Sequence, residues 1–149
     1  MSRWQPTALK SAALLAVLYG VGQLLPKQLE NADFANASLP EQHWAGARLN
    51  NADLQNADLS RSDLRGADLT SACLSRTMLT GANLAGANLR LANLCGADLT
   101  AANLTSVVLG YTLYDAATRW PTGFLPGQHA GLCPRQRPTP LVEMGFFAR

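Results

Sequence analysis

Charge is the first thing this chain is short of. Asp, Glu, Lys and Arg together make 15% of its 149 residues, and the net charge is +2. That surplus is too small to imply a nucleic-acid partner or acidic substrates. Its distribution says slightly more: residues 32–111 carry seven acids and five arginines, whereas residues 1–31 and 116–149 are net basic by +2 and +3. Cysteine is scarce as well, with three in the chain and no Cys-x-x-Cys or His/Cys cluster, so no ligand set for structural zinc is visible. Nor is there a nucleophile beside a base, a phosphate-cradling loop or a metal-ligand spacing. These absences predict a protein that is not an enzyme and takes no cofactor, no metal and no small-molecule substrate.

What the chain has in excess is one short phrase. From Ala32 to Tyr111 it reads in fives without a gap, opening on ADFAN, ASLPE, QHWAG and ARLNN, passing through ADLQN and ANLAG, and closing on ANLTS and VVLGY. The central apolar residue falls at Phe34, Leu39, Trp44 and Leu49, then at a leucine every five positions to Leu109. A small residue, usually Ala, stands two places before it. A fixed period of this kind marks a stacked, quasi-one-dimensional architecture.

Five is the period of neither a strand nor an amphipathic helix. Within a unit, the small residue and the leucine are two apart and share one face of an extended segment. A turn must follow every five residues, or the next leucine would fall on the opposite face. If each turn is near a right angle, four units close a square coil of twenty residues, and the sixteen units make four coils. Parallel pairing would stack them about 4.8 Å apart.

The A(D/N)LxG-type phrase resembles that of pentapeptide-repeat proteins. The resemblance implies an all-β repeat fold, a right-handed quadrilateral parallel β-helix, here of about four coils. An N-terminal apolar helix and an irregular C-terminal tail would flank it. The division expected is 1–26 for the apolar helix, 27–114 for the β-helix and 115–149 for the cap and tail. Phe34, Leu54, Leu74, Leu84, Leu89, Leu94 and Leu104 are among the residues assigned to its interior. The small position also points inward, where anything much larger overpacks. The last position of each unit is often Gly or Asn, as a type II turn requires. Arg61, Ser71, Arg76, Leu91, Ala101 and Ser106 stand there too, which predicts other turn types at those corners.

The N-terminus admits three readings. Ser11 to Leu25 is uncharged and apolar, with Arg3 and Lys10 before it. A secretory signal fits the basic start, but the first A-x-A site lies inside the repeats, at Ala35 and Ala37. An uncleaved anchor fits the polarity, with the positive end cytoplasmic. Its fifteen residues give a helix of about 22 Å, short of a hydrocarbon core of roughly 30 Å. A helix capping the first coil is the third. The anchor reading puts the repeats in the periplasm or a thylakoid-type lumen, with the membrane met through residues 11–25. Cleavage would give a secreted protein and the cap a cytoplasmic one.

Stacked by twenties, the position before each central residue forms four outer ladders. Asp53, Asp58, Asp63 and Asp68 ring one coil, facing four directions, so they cannot converge on a metal or a substrate. Asp68 over Arg48 and Arg61 over Glu41 are expected to pair. Gln42 in a small-residue slot marks a distorted turn, and His43 points to solvent. Cys73 and Cys95 fall about 8 Å apart, beyond the reach of a disulfide; Cys133 meets Cys95 only if the tail folds back. After the last unit, T-R-W-P-x-G-F resembles the ending of cyanobacterial pentapeptide-repeat proteins, with Tyr114, Trp120 and Phe124 as a plug.

The sequence therefore points to a non-enzymatic structural or protein-interaction module, with an unidentified protein partner and no nucleic acid. Outward apolar residues at Leu91, Val108 and Tyr111 form the candidate contact surface, together with Phe146 and Phe147 of the tail. The family supplies an alternative, since some members mimic DNA with a strongly acidic rod and bind gyrase.

Overall fold

The computed structural model describes residues 28–127 and 131–132. The segment expected to be an apolar helix, residues 1–26, lies outside them, as do Cys133 and the rest of the tail. No helix occurs among the described residues, whose named strands are β1 (Leu113–Tyr114) and β2 (Gly131–Leu132).

The repeat builds a column of short parallel rungs. Each residue that precedes a central leucine bridges its counterpart twenty positions on, giving four ladders. One runs Asp33–Asp53–Cys73–Asn93–Leu113, another Ser38–Asp58–Met78–Asp98–Arg119. The remaining two run His43–Asp63–Asn83–Asn103 and Gln28–Arg48–Asp68–Asn88–Val108. β2 continues the first ladder, pairing in parallel with β1.

The unit Ala52–Asn56 shows why five residues suffice. Ala52 N donates to Leu49 O at 3.0 Å and closes the corner, while Asp53 N donates down to Ala32 O at 2.8 Å. Leu54 N and Asn56 N donate up to Cys73 O and Ser75 O, at 2.8 and 3.0 Å. The remaining amide, Gln55 N, is taken by the Asp53 carboxylate at 3.0 Å. Every backbone donor of the unit therefore has a partner, as a buried wall demands.

All corners share one backbone sign. The residue expected to vary in turn type has a positive φ in every case, from 55° at Tyr111 to 70° at Gly96. Arg61, Ser71, Arg76, Leu91, Ala101 and Ser106 have φ of 56° to 59°, in the same turn as the glycines, which corrects the mixture of turns expected from their side chains. The reason is tertiary. A corner is clamped by rungs above and below it, and that pairing outweighs a left-handed penalty of about 1–2 kcal/mol for an L-residue.

Inside the square, the leucines from Leu39 to Leu99 (half-buried Trp44 apart) are at most 1% exposed, Leu104 is 7% and Phe34 5%. The small slot is Ala in most units, and among the exceptions Ser62, Thr77 and Thr112 are buried. Their hydroxyls are not stranded. Thr77 and Thr112 donate to Leu54 O and Leu89 O, each at 2.7 Å, and Ser62 to Leu39 O at 3.4 Å. A buried hydroxyl is tolerated because a corner carbonyl lies within its reach.

The two ends depart from the pattern. Near the start, Phe34 and Trp44 lean together with ring centres 5.3 Å apart. At Gln42 the corner bond is missing, and its amide goes to Ser62 Oγ at 3.0 Å instead. At the far end the step on one ladder grows from twenty to twenty-one, since Asp98 bridges Arg119. Tyr114 and Trp120 thereby occupy central positions one level above Leu94 and Leu99. Trp120 meets Tyr114 edge-on at 5.5 Å and stacks on Phe124 at 5.3 Å, all three against the leucine core.

Candidate interaction surface

The interior is filled with hydrocarbon, so any chemistry of recognition must sit outside. The outer ladders are mostly Asp and Asn, and their side chains are largely occupied. Asp58 accepts Ser60 N at 2.9 Å, Asp63 accepts Arg65 N at 3.2 Å and Asp68 accepts Thr70 N at 3.1 Å. Asn83, Asn93, Asp98 and Asn103 do the same for the amide two residues on, at 2.9 to 3.2 Å. This local bond is the Asx turn that short polar side chains favour. Where the ladder residue is Ser38, the residue two on is Pro40, which has no amide to satisfy.

Sequence reasoning assigned the ring of Asp53, Asp58, Asp63 and Asp68 to a partly paired surface; its structural role was missed. The signal was available, because Asp and Asn recur at one register position and share an acceptor oxygen. The pairing also differs. Arg48 reaches Glu30 at 2.6 Å rather than Asp68, because the Asp68 carboxylate is turned to Thr70. Arg61 and Glu41 do meet, at 3.8 Å in solvent. Asp63 is held by a two-pronged Arg65 fork at 2.8 and 2.7 Å. That fork is the main cause lowering the Asp63 carboxyl below its ordinary range. The Thr100 hydroxyl and amide lower Asp98 likewise.

No group of three His, Cys, Asp or Glu able to hold a metal exists among the described residues. Nor is any helix among them long and apolar enough to cross a membrane. His43 is exposed on its ladder, and Cys73 is a half-buried free thiol with Sγ 3.4 Å from Ser75 Oγ. Cys95 is disulfide-bonded.

The residues assigned to the contact surface divide. Leu91 is 57% and Tyr111 76% exposed, on the corner where Leu91 N donates to Gly110 O at 2.8 Å. Val108, beside them, is half-buried. Phe146 and Phe147 lie outside the described residues. The column of this corner reads Asn31, Asn51, Ser71, Leu91, Tyr111, all at positive φ. Asn suits that backbone; Leu and Tyr do not.

Eight copies of the family described as pentapeptide repeats match residues 28–110 in overlapping segments. The chain belongs to the pentapeptide repeat family, whose members are generally non-enzymatic structural or interaction proteins; nothing among the described residues indicates catalysis. Among solved structures, a pentapeptide repeat protein of the Arabidopsis thaliana thylakoid lumen is 29% identical, with a TM-score of 0.58. The likeness covers 61% of this chain and 64% of that one, just under two thirds of the relative's length. A pentapeptide repeat protein of Nostoc PCC 7120 is 31% identical over 79% of this chain and 94% of its own, with a TM-score of 0.48. A plasmid-mediated fluoroquinolone resistance protein is 21% identical over 60% of each chain, with a TM-score of 0.23. No curated protein sequence matches the chain.

Proposed function

We propose that this protein is a non-catalytic interaction module on the extracytoplasmic side of a membrane, contacting a protein partner through the corner of Leu91 and Tyr111. One observation carries the reading: two large apolar side chains stand exposed at 57% and 76% on a backbone that disfavours them. Conformational strain combined with solvent-facing hydrocarbon costs stability twice, which is the mark of a residue kept for contact. Nothing among the described residues favours a DNA-mimicking, gyrase-binding rod, because the ring acids are bound to their own corners.

Three features support the compartment. The disulfide at Cys95 suits an oxidising environment. The similar Arabidopsis protein is from the thylakoid lumen. Residues 11–25, outside the described part, follow Arg3 and Lys10 with the polarity of an anchor that leaves the basic end cytoplasmic. The same layout assigns 1–26 to the anchor, 27–114 to the β-helix and 115–149 to the cap and tail.

A photo-crosslinking residue at position 91 or 111, in the full chain in membranes, tests the surface. The expected result is an adduct with a second protein of one defined mass, absent when the probe replaces Asn51 on the same corner. Leu91→Asn with Tyr111→Asn should abolish binding without unfolding, since Asn suits positive φ. Adducts confined to residues 134–149 of the same chain would instead make the tail the occupant. Recovery of a soluble chain beginning near Asn31 would replace the anchor by a cleaved signal.

A further inference from the structure

Two arginines of the coil lack a counter-charge. Among the described residues, Arg48, Arg61, Arg65 and Arg119 each meet a carboxylate at 2.6 to 3.8 Å, whereas Arg76 and Arg90 meet none. Arg90 is exposed and immediately precedes Leu91 on the apolar corner. The acids of the two sides that join there are committed elsewhere. Asp68, one level below on the same side, accepts Thr70 N at 3.1 Å. Asp115, past β1 on the adjoining side, accepts Gly96 N at 2.9 Å and Ala117 N at 3.1 Å.

Gly110 shows that room is kept for this arginine. The positive φ of the corner belongs to Tyr111, at 55°, and Gly110 has none, so no turn demands a glycine at 110. A Cβ there would lie 3.2 Å from Arg90 Cγ, 3.6 Å from Nε and 3.7 Å from Cδ. The stem of Arg90 is thus laid against the Gly110 backbone, which carries its head up to the level of Tyr111, the next residue. We infer that Arg90 selects the partner of this corner: a protein segment that seats apolar side chains on Leu91 and Tyr111 and sets an Asp or Glu carboxylate on the Arg90 guanidinium. The inference rests on the interaction reading above and adds the chemistry that the partner carries.

Three physical reasons favour a carboxylate. A guanidinium presents a planar fork of donors that both oxygens of a carboxylate accept together. With its stem already packed, Arg90 gives up less rotamer freedom on binding than a free surface arginine does. Hydrocarbon beside it excludes water once the segment is seated, and a charge pair strengthens as water leaves. Leu91 and Tyr111 stand one level apart, about 4.8 Å. The acid and the apolar group of an extended segment therefore fall within about three residues of each other. Arg76 provides the contrast. Its Cγ lies 3.3 Å from the Cβ position at Gly96, but that glycine has a φ of 70° and serves the turn. Its corner column is Asn36, Asn56, Arg76 and Gly96, with no hydrocarbon to seat a partner.

The test uses the full chain in membranes with a photo-crosslinking residue at position 111. Arg90→Gln should lower the yield of the second-protein adduct by roughly tenfold or more, and Arg90→Lys, which keeps charge but not the fork, by less. Arg76→Gln should leave the yield unchanged, and all three variants should keep the circular dichroism of the natural chain. Peptide mapping of the adduct should find an Asp or Glu within about three positions of an apolar residue. Changing that acid to Lys should abolish the adduct, and Arg90→Glu should restore it. A second-protein adduct that forms equally in Arg90→Gln would overturn the inference and leave the interaction reading standing. No adduct with a second protein from position 91 or 111 would remove both. Adducts confined to lipid, or to residues 134–149, where Glu143 stands between Val142 and Met144, would overturn the assignment to a protein partner.

Discussion

The inward and outward residues of this coil share one strand and one period, yet they are selected by different physics. Leu84 is closed off from solvent by its neighbours and counts through its volume. Asn83, next to it, is half-exposed and counts through one oxygen, which accepts Ala85 N at 3.2 Å. The lesson is that exposure does not measure structural importance here. A ladder residue that faces water also completes the corner that the leucine's rung turns into.

Breaking the inner side should give the largest effect. Leu84→Ala is expected to cost about 2–5 kcal/mol in denaturant melts, because the rungs above and below hold the cavity open. Ala87→Leu is expected to lose about 1–3 kcal/mol by overpacking. The outer side follows. Asp98→Ala removes the acceptor of Thr100 N and should cost about 0.5–1.5 kcal/mol, whereas a merely solvated Asp would change nothing. Asp98→Asn keeps that oxygen and should recover most of the loss.

The same pair sharpens the comparison through pH. The Asp98 carboxyl is lowered by the Thr100 hydroxyl and amide, with Arg119 adding to them. Its contribution is therefore complete above the unfolded carboxylate value of about 3.9 and is lost as pH falls through the lower native value. Acid titration of stability should show that component in the natural protein and not in Asp98→Asn. The smallest effect belongs to the outermost pair. Glu41→Ala should change stability by less than about 0.5 kcal/mol, since its 3.8 Å contact with Arg61 lies in solvent.

The inner column was legible in the sequence because a leucine every five residues leaves a volume signature that nothing else imitates. The four ladders followed from it by counting. The role of Asp53 to Asp68 was legible only in the recurrence of Asp and Asn at one register position, since any single Asp that caps its own corner looks like one that merely meets water. The corners at Arg61 and Leu91 misled for another reason: local preference argues against positive φ there, and only the rungs on either side impose it. At Trp120 the pattern was hidden by a single extra residue, which shifts the frame without altering composition. The corner of Leu91 and Tyr111 was visible as a break in polarity, while its backbone conformation was not.

That extra residue lies between β1 and Arg119, beyond the last regular corner, so the end cap is built once and the count of units before it is set separately. Five residues added or removed within Ala52–Ala101 would leave every rung its neighbours but turn the cap by a quarter revolution about the axis. Twenty would return it to the same bearing, one level higher or lower. Height and bearing are thus digital quantities in this molecule, written in units of five. The direction in which Leu91, Tyr111 and the Cys95 disulfide face, relative to the first rung, is fixed by a whole number of units, not by the stiffness of a hinge.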